Sequence, residues 1–124
     1  AVQWAVANAT RLGLANVRAE PLAARVWQRG ATEVAVASPH PQKLIALALG
    51  NSASTPPEGI DAEVAAYPDF DTLRADTGDR ARGRIVFIDQ HTERSRDGRG
   101  YGFAGRARWN GPAEAARRGA LGVV

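Results

Sequence analysis

Two short apolar runs with a helix signal between them constrain this fold more than any other feature. Ile85–Ile88 is four consecutive large aliphatic or aromatic residues, and residues 121–124 form a second apolar run. Between them, Asn110 is a good N-cap, Pro112 falls near the first helical position, and Gly119 supplies a stop. A buried strand, a helix and a second buried strand form a crossover. The two strands should therefore be adjacent and parallel, and the connection between them should be right-handed.

The remaining elements follow from shorter patterns. Residues 1–12 carry apolar residues at helical spacing, whereas 17–28 alternate imperfectly around Pro21 and predict one or two edge strands. The patterns over residues 32–37 and 43–49 also predict strands. The strand over 43–49 is apolar on both faces, so we expect it to lie in the centre of a sheet that is covered on both sides.

Residues 60–66 predict a further strand, followed by a helix that Asp69 or Asp71 caps and that runs to about Ala75. Strands earlier than Ile85–Ile88 should pair mostly antiparallel. The predicted class is α+β: a small mixed β-sheet or open β-barrel with flanking helices and one parallel βαβ crossover.

Composition excludes several kinds of site. The 124 residues contain no cysteine, so neither disulfides nor thiolate zinc sites can form. No apolar run reaches the roughly 18 residues of a membrane span, so we expect no membrane partner. The net charge is only +3, which is low for a nucleic-acid-binding protein, and we do not favour nucleic acid as a partner.

No catalytic or metal-ligating residue is assigned from the motifs. His40 lies in a Pro-His-Pro turn, and His91 follows the buried strand with Glu93 beside it. A zinc site needs three or four ligands, so we interpret both histidines as polar surface residues. No serine lies in a Gly-x-Ser-x-Gly motif, and the glycines after Ile88 lack the dinucleotide-binding spacing. We therefore expect no enzymatic activity from this chain alone.

Residues 91–109 are predicted to form a long loop in which arginines and aromatic residues alternate, and they are the candidate partner-facing or substrate-facing residues. One interpretation is a solvent-exposed loop without a partner, and another is a binding site for single-stranded nucleic acid or an acidic polymer. A contact with another domain of a longer polypeptide is the reading we favour. The candidate residues are Arg94, Arg96, Arg99, Tyr101, Phe103, Arg106, Arg108 and Trp109.

Several stretches resemble a known family. They are residues 39–44 (PHPQKL), 55–64 (TPPEGIDAEV), 94–102 (RSRDGRGYG) and 111–120 (GPAEAARRGA). Together with the opening helix, they are similar to the N-terminal part of bacterial zinc aminopeptidases related to carboxypeptidase Q. In those enzymes a protease-associated (PA) domain is inserted into the peptidase domain.

The resemblance implies a domain assignment and a function. Residues 1–29 would belong to the peptidase domain, and residues 30–124 would be a PA domain that continues beyond Val124. The fragment would be non-catalytic and would influence substrate access or interdomain contacts, with the peptidase domain and the peptide substrate as its partners. Zinc would be bound in the parent peptidase domain, with no cofactor in this chain, and the location would be periplasmic or secreted. The alternative is a free-standing binding module for acidic polymers or single-stranded nucleic acid.

Overall fold

The computed structural model describes all 124 residues, and they form two compact units, residues 1–53 and 54–124. Unit 1 begins with helix α1 (Val2–Arg11), as predicted. Its two short strands, β1 (Val34–Val36) and β2 (Gln42–Leu44), form an antiparallel pair joined by the predicted proline turn. None of the helices in the chain is both long and apolar enough to cross a membrane.

Two strand predictions for unit 1 are wrong. Residues 17–28 contain no strand, because Pro21 interrupts their weak alternation and no neighbouring backbone pairs with them. The strand predicted over 43–49 ends at Leu44, and Ile45 is fully exposed. The strand is short because β2 pairs only with β1, which has three residues. Beyond β2, the Ala48 amide donates its hydrogen bond to the Thr32 hydroxyl and not to a neighbouring strand.

Unit 2 is a three-stranded parallel sheet with two connecting helices. In chain order the elements are β3 (Val64–Tyr67), α2 (Phe70–Ala75), β4 (Ile85–Ile88), α3 (Arg99–Arg117) and β5 (Gly122–Val123). The strand order is β3-β4-β5, and both pairs are parallel. The predicted adjacency and parallel pairing of β4 and β5 are therefore confirmed.

The expectation that earlier strands pair antiparallel is wrong for β3, which runs parallel to β4. The reason is helix α2, which carries the chain back along the sheet between the two strands. Its predicted cap is present: the Thr72 amide donates to the Asp69 carboxylate at 2.6 Å. The α+β class is confirmed, with two separate open sheets and no closed barrel.

The core of unit 2 lies between the sheet and the two helices, which contact each other. Alternate strand residues point into it, and Leu73 from α2 and Ala115 from α3 close it. The other face of the sheet is apolar and exposed. Its residues are Val64, Ala66, Ile85, Phe87 and Val124, of which Ile85 is partly buried.

Helix α3 begins much earlier than predicted. It starts at Arg99 instead of near Asn110, and Pro112 lies inside it. The predicted loop over 91–109 is therefore wrong for its second part, which is helical, while residues 91–98 remain irregular. Glycines in the sequence predict a loop, but in the helix Gly100 allows the backbone of Glu93 to approach closely, and Gly105 does the same for the Trp109 ring.

Candidate interaction surface on helix α3

The structure divides the predicted loop residues between an irregular segment and a helix. Arg94 and Arg96 lie in the exposed segment that leads into α3. The other six candidates lie in the first eleven residues of the helix, so they form a surface with a fixed spacing. They are Arg99, Tyr101, Phe103, Arg106, Arg108 and Trp109.

Two glycines permit this part of the helix. A Cβ at Gly100 would collide with the backbone carbonyl of Glu93, so the incoming segment can pass the first helical turn only because residue 100 has no side chain. A Cβ at Gly105 would lie 2.9 Å from the Trp109 ring. The ring therefore lies against the helix backbone one turn before it, and Gly105 is buried beneath it.

Arg106 anchors one side of the helix to α2. Its guanidinium donates to both carboxylate oxygens of Asp71, at 3.2 and 2.8 Å. It also lies 4.2 Å from the centroid of the Phe103 ring and 5.9 Å from that of Phe70. A bidentate ion pair combined with cation–π contacts holds this arginine in one orientation. Arg106 is thus committed within the unit and is not a free cation.

Tyr101, Arg108 and Trp109 form a second cluster, which we call the aromatic face of α3. Their spacing of seven and eight residues places them on one side of the helix. The rings of Tyr101 and Trp109 meet edge to face, with centroids 5.9 Å apart, and Arg108 donates to the Tyr101 hydroxyl at 3.2 Å. Despite these contacts, 43% of Tyr101 and 60% of Trp109 remain exposed. The cluster is ordered and open to solvent at the same time.

The positive charge of the chain is concentrated at this surface. Residues 91–109 contain five arginines and two acids, and in the rest of the sequence eleven cationic residues balance eleven anionic ones. Of the five, Arg99 pairs with Asp97 and Arg106 pairs with Asp71. The three arginines without a carboxylate partner are Arg94, Arg96 and Arg108.

Two acids near the starts of the helices of unit 2 have lowered pKa values. The Arg99 amide and guanidinium hydrogen-bond to Asp97 and lower its pKa. The hydrogen bond from the Thr72 amide lowers the pKa of Asp69 in the same way at the start of α2. Asp69 is the N-cap of α2, whereas Asp97 precedes the Gly98 N-cap of α3; both place negative charge at the favourable end of a helix dipole.

His91 lines a shallow cleft of about 510 Å³ at the carboxyl ends of β3 and β4. Asp69, Glu93 and Arg99 line the same cleft. His40 lies in the turn between β1 and β2. No group of three or more His, Cys, Asp or Glu side chains in the chain could hold a metal ion.

The ordered arrangement on α3 suits contact with a partner, because its exposed groups are rings and guanidinium groups.

Sequence reasoning missed the residues that position this surface. The sequence predicts Asp71 only as a possible helix cap and does not single out Phe70, although both side chains contact Arg106. Gly105 was read as a loop residue, although it accommodates Trp109. The available signal was the spacing of Tyr101, Arg108 and Trp109, which fits one helix face.

Three comparisons bear on the family. No family model matches the chain. Carboxypeptidase Q from Bos taurus is 39% identical over 109 residues, which cover 88% of this chain and 22% of that protein. Carboxypeptidase Q from Homo sapiens is 36% identical over 121 residues, 98% of this chain and 24% of that protein.

A solved structure agrees with these matches. The crystal structure of a peptidase M28 precursor from Shewanella amazonensis SB2B aligns with a TM-score of 0.81 and 38% identity, over 98% of this chain and 28% of that one. The chain thus spans about a quarter of the length of the curated relatives it matches. These matches support a fragment of a peptidase, similar to one segment of carboxypeptidase Q and of the peptidase M28 precursor.

Proposed function

We propose that the chain is the non-catalytic PA-domain region of a longer zinc-dependent exopeptidase. Residues 1–29 are the part of it that belongs to the peptidase domain, and residues 30–124 are the PA domain. The matches to carboxypeptidase Q and to the peptidase M28 precursor support this assignment, since they cover nearly all of this chain and only a minor part of each relative.

In this proposal the chain supplies no catalytic group. It contains no cysteine and no cluster of metal-ligating side chains, so its own residues do not fit a zinc site. Zinc, and with it the hydrolytic chemistry, belongs to the peptidase domain of the parent protein, which we expect to be periplasmic or secreted. The purified chain should cleave no peptide, with or without added zinc.

The role we assign to the PA region is control of substrate access or of the contact with the peptidase domain. The observation that carries this role is the aromatic face of α3. Large rings are costly to leave in water unless a partner covers them, yet Tyr101 and Trp109 are fixed in place and exposed. A fixed aromatic pair beside a free arginine has the composition of an interface centre.

The test is made in the complete peptidase. Trp109→Ala should change the ratio of kcat/KM for long and short peptides by about threefold or more, which corresponds to about 0.7 kcal/mol. Ile45→Ala is the control, because it removes a fully exposed apolar side chain from unit 1. If peptide-length preference is the same in both variants and in the unmodified enzyme, the role in substrate access is wrong.

A further inference from the structure

We propose that the aromatic face of α3, together with the unpaired arginines of residues 91–109, docks an acidic segment of a polypeptide. This inference rests on the proposed function, because it names the chemical class of the partner at the same surface. It concerns docking and involves no bond cleavage in the segment that docks.

Charge is the first argument. The entire net charge of +3 lies in residues 91–109, a stretch that contributes about one-seventh of the chain. Arg94, Arg96 and Arg108 have no carboxylate partner, whereas Arg99 and Arg106 are already paired. Three unpaired guanidinium groups on one stretch attract carboxylates, which they can bind through two parallel hydrogen bonds each.

Shape is the second argument. Arg108 adjoins the aromatic pair, because its guanidinium donates a hydrogen bond to the Tyr101 hydroxyl at 3.2 Å. The edge-to-face pair of Tyr101 and Trp109 offers an apolar contact directly beside this charge. A segment with an apolar side chain next to an acidic one would satisfy both groups at once.

The arrangement favours a polypeptide over single-stranded nucleic acid. Bases bind by stacking on open ring faces. Here Trp109 lies against the backbone at Gly105 with the edge of one ring directed at the other, and Arg106 covers Phe103. No ring of the cluster forms part of a continuous stacking platform, so side-chain carboxylates fit the surface better than a run of bases.

The experiment uses the purified 124-residue chain and two fluorescein-labelled peptides, Ala-Glu-Phe-Glu-Glu-Ala and its neutral counterpart Ala-Gln-Phe-Gln-Gln-Ala. Fluorescence anisotropy should show saturable binding of the acidic peptide, at least about fivefold tighter than that of the neutral peptide. The affinity should fall between 50 and 300 mM NaCl, since these charges are exposed to solvent.

Variants identify the surface. Arg96→Gln and Arg108→Gln should each weaken binding by about two- to fivefold, the range expected for an exposed ion pair. Trp109→Ala should weaken binding of both peptides, because it removes the apolar contact. Arg25→Gln, which removes the same charge from an exposed position of unit 1, should leave the affinity unchanged.

Equal binding of the two peptides, or an equal effect of Arg25→Gln, overturns the inference. Tighter binding of a labelled oligo(dT) 12-mer than of the acidic peptide would also overturn it, in favour of nucleic acid. The proposed function fails separately: if the chain binds the acidic peptide but Trp109→Ala leaves the complete peptidase unaltered, only the access role is lost.

Discussion

At Gly100 and Gly102, two residues apart in α3, the same substitution to alanine should have opposite effects on stability. Gly102→Ala meets no atom within 4 Å, so it should stabilise the chain by about 0.5–1 kcal/mol through helix propensity. Gly100→Ala drives a methyl group into the Glu93 carbonyl and should destabilise the chain by about 1–3 kcal/mol. Urea unfolding followed by circular dichroism measures both. Equal effects would show that residues 91–98 do not pass against the first turn of α3.

Acid should destabilise unit 2 through Asp76 and Glu114, in addition to Asp69 and Asp97, whose pKa values are also lowered. The hydrogen bond from Tyr67 at 2.6 Å, followed by that from the Gly78 amide, lowers the pKa of Asp76, and the hydrogen bond from Arg117 lowers the pKa of Glu114. Because each pKa is lower in the folded state, the stabilisation is complete above the unfolded values of 3.8 and 4.5 and is lost as the pH falls below them.

The urea midpoint should therefore drop between pH 6 and pH 3. Asp76→Asn should lower the midpoint at pH 6 and make it less sensitive to acid. Asp61→Asn, at an exposed position, serves as the control and should retain the full acid dependence. An Asp76→Asn variant with the same acid dependence as the unmodified chain would contradict the assigned role of this carboxylate.

At the level of elements, the sequence predicts those whose signals are local. The apolar run of β4 and the cap of α2 were identified because neighbouring residues determine them. The start of α3 could not be identified in this way. Glycine at positions 100 and 105 lowers helix propensity locally, and the compensating contacts with Glu93 and Trp109 exist only in the folded chain.

The candidate site shows the same division. The sequence selected the arginines and rings of 91–109 by composition alone, and the structure places most of them on one helix. The sequence could not reveal which arginines lack a carboxylate partner, because Asp71, the partner of Arg106, lies 35 residues away in the chain. Pairing between distant side chains depends on the tertiary fold, which local patterns do not encode.

The helical start of α3 predicts an order of proteolysis. Arg94 and Arg96 lie in an exposed irregular segment, whereas Arg106 and Arg108 lie within the helix. Trypsin needs an extended backbone, so among the arginines of residues 91–117 it should cut first after Arg94 or Arg96, and next after Arg99, where the helix end can fray. Mass spectrometry of a limited digest gives the order of the cuts. Early cleavage after Arg108 would indicate that the first half of α3 unfolds readily.

On the scale of the whole molecule, the exposed face of the parallel sheet is the least ordinary feature of unit 2. Parallel sheets are almost always covered on both faces, because their crossover helices bury apolar side chains on each side. Here both helices lie on one face, and Phe87 in the central strand is 40% exposed on the other. The unit therefore presents a face of exposed apolar side chains, including Val64, Phe87 and Val124, and such faces commonly contact more protein.

The isolated chain should therefore self-associate as its concentration rises, and Phe87→Thr should reduce this association. Threonine introduces a β-branched side chain, which suits a strand, while it removes the ring from the exposed face of the sheet, so the fold should persist. Sedimentation velocity over a range of concentrations measures the association, and Leu22→Thr, at an exposed position in an irregular part of unit 1, is the control. If Phe87→Thr associates as strongly as the unmodified chain, contacts elsewhere drive the association, and the open sheet face tolerates water despite its apolar residues.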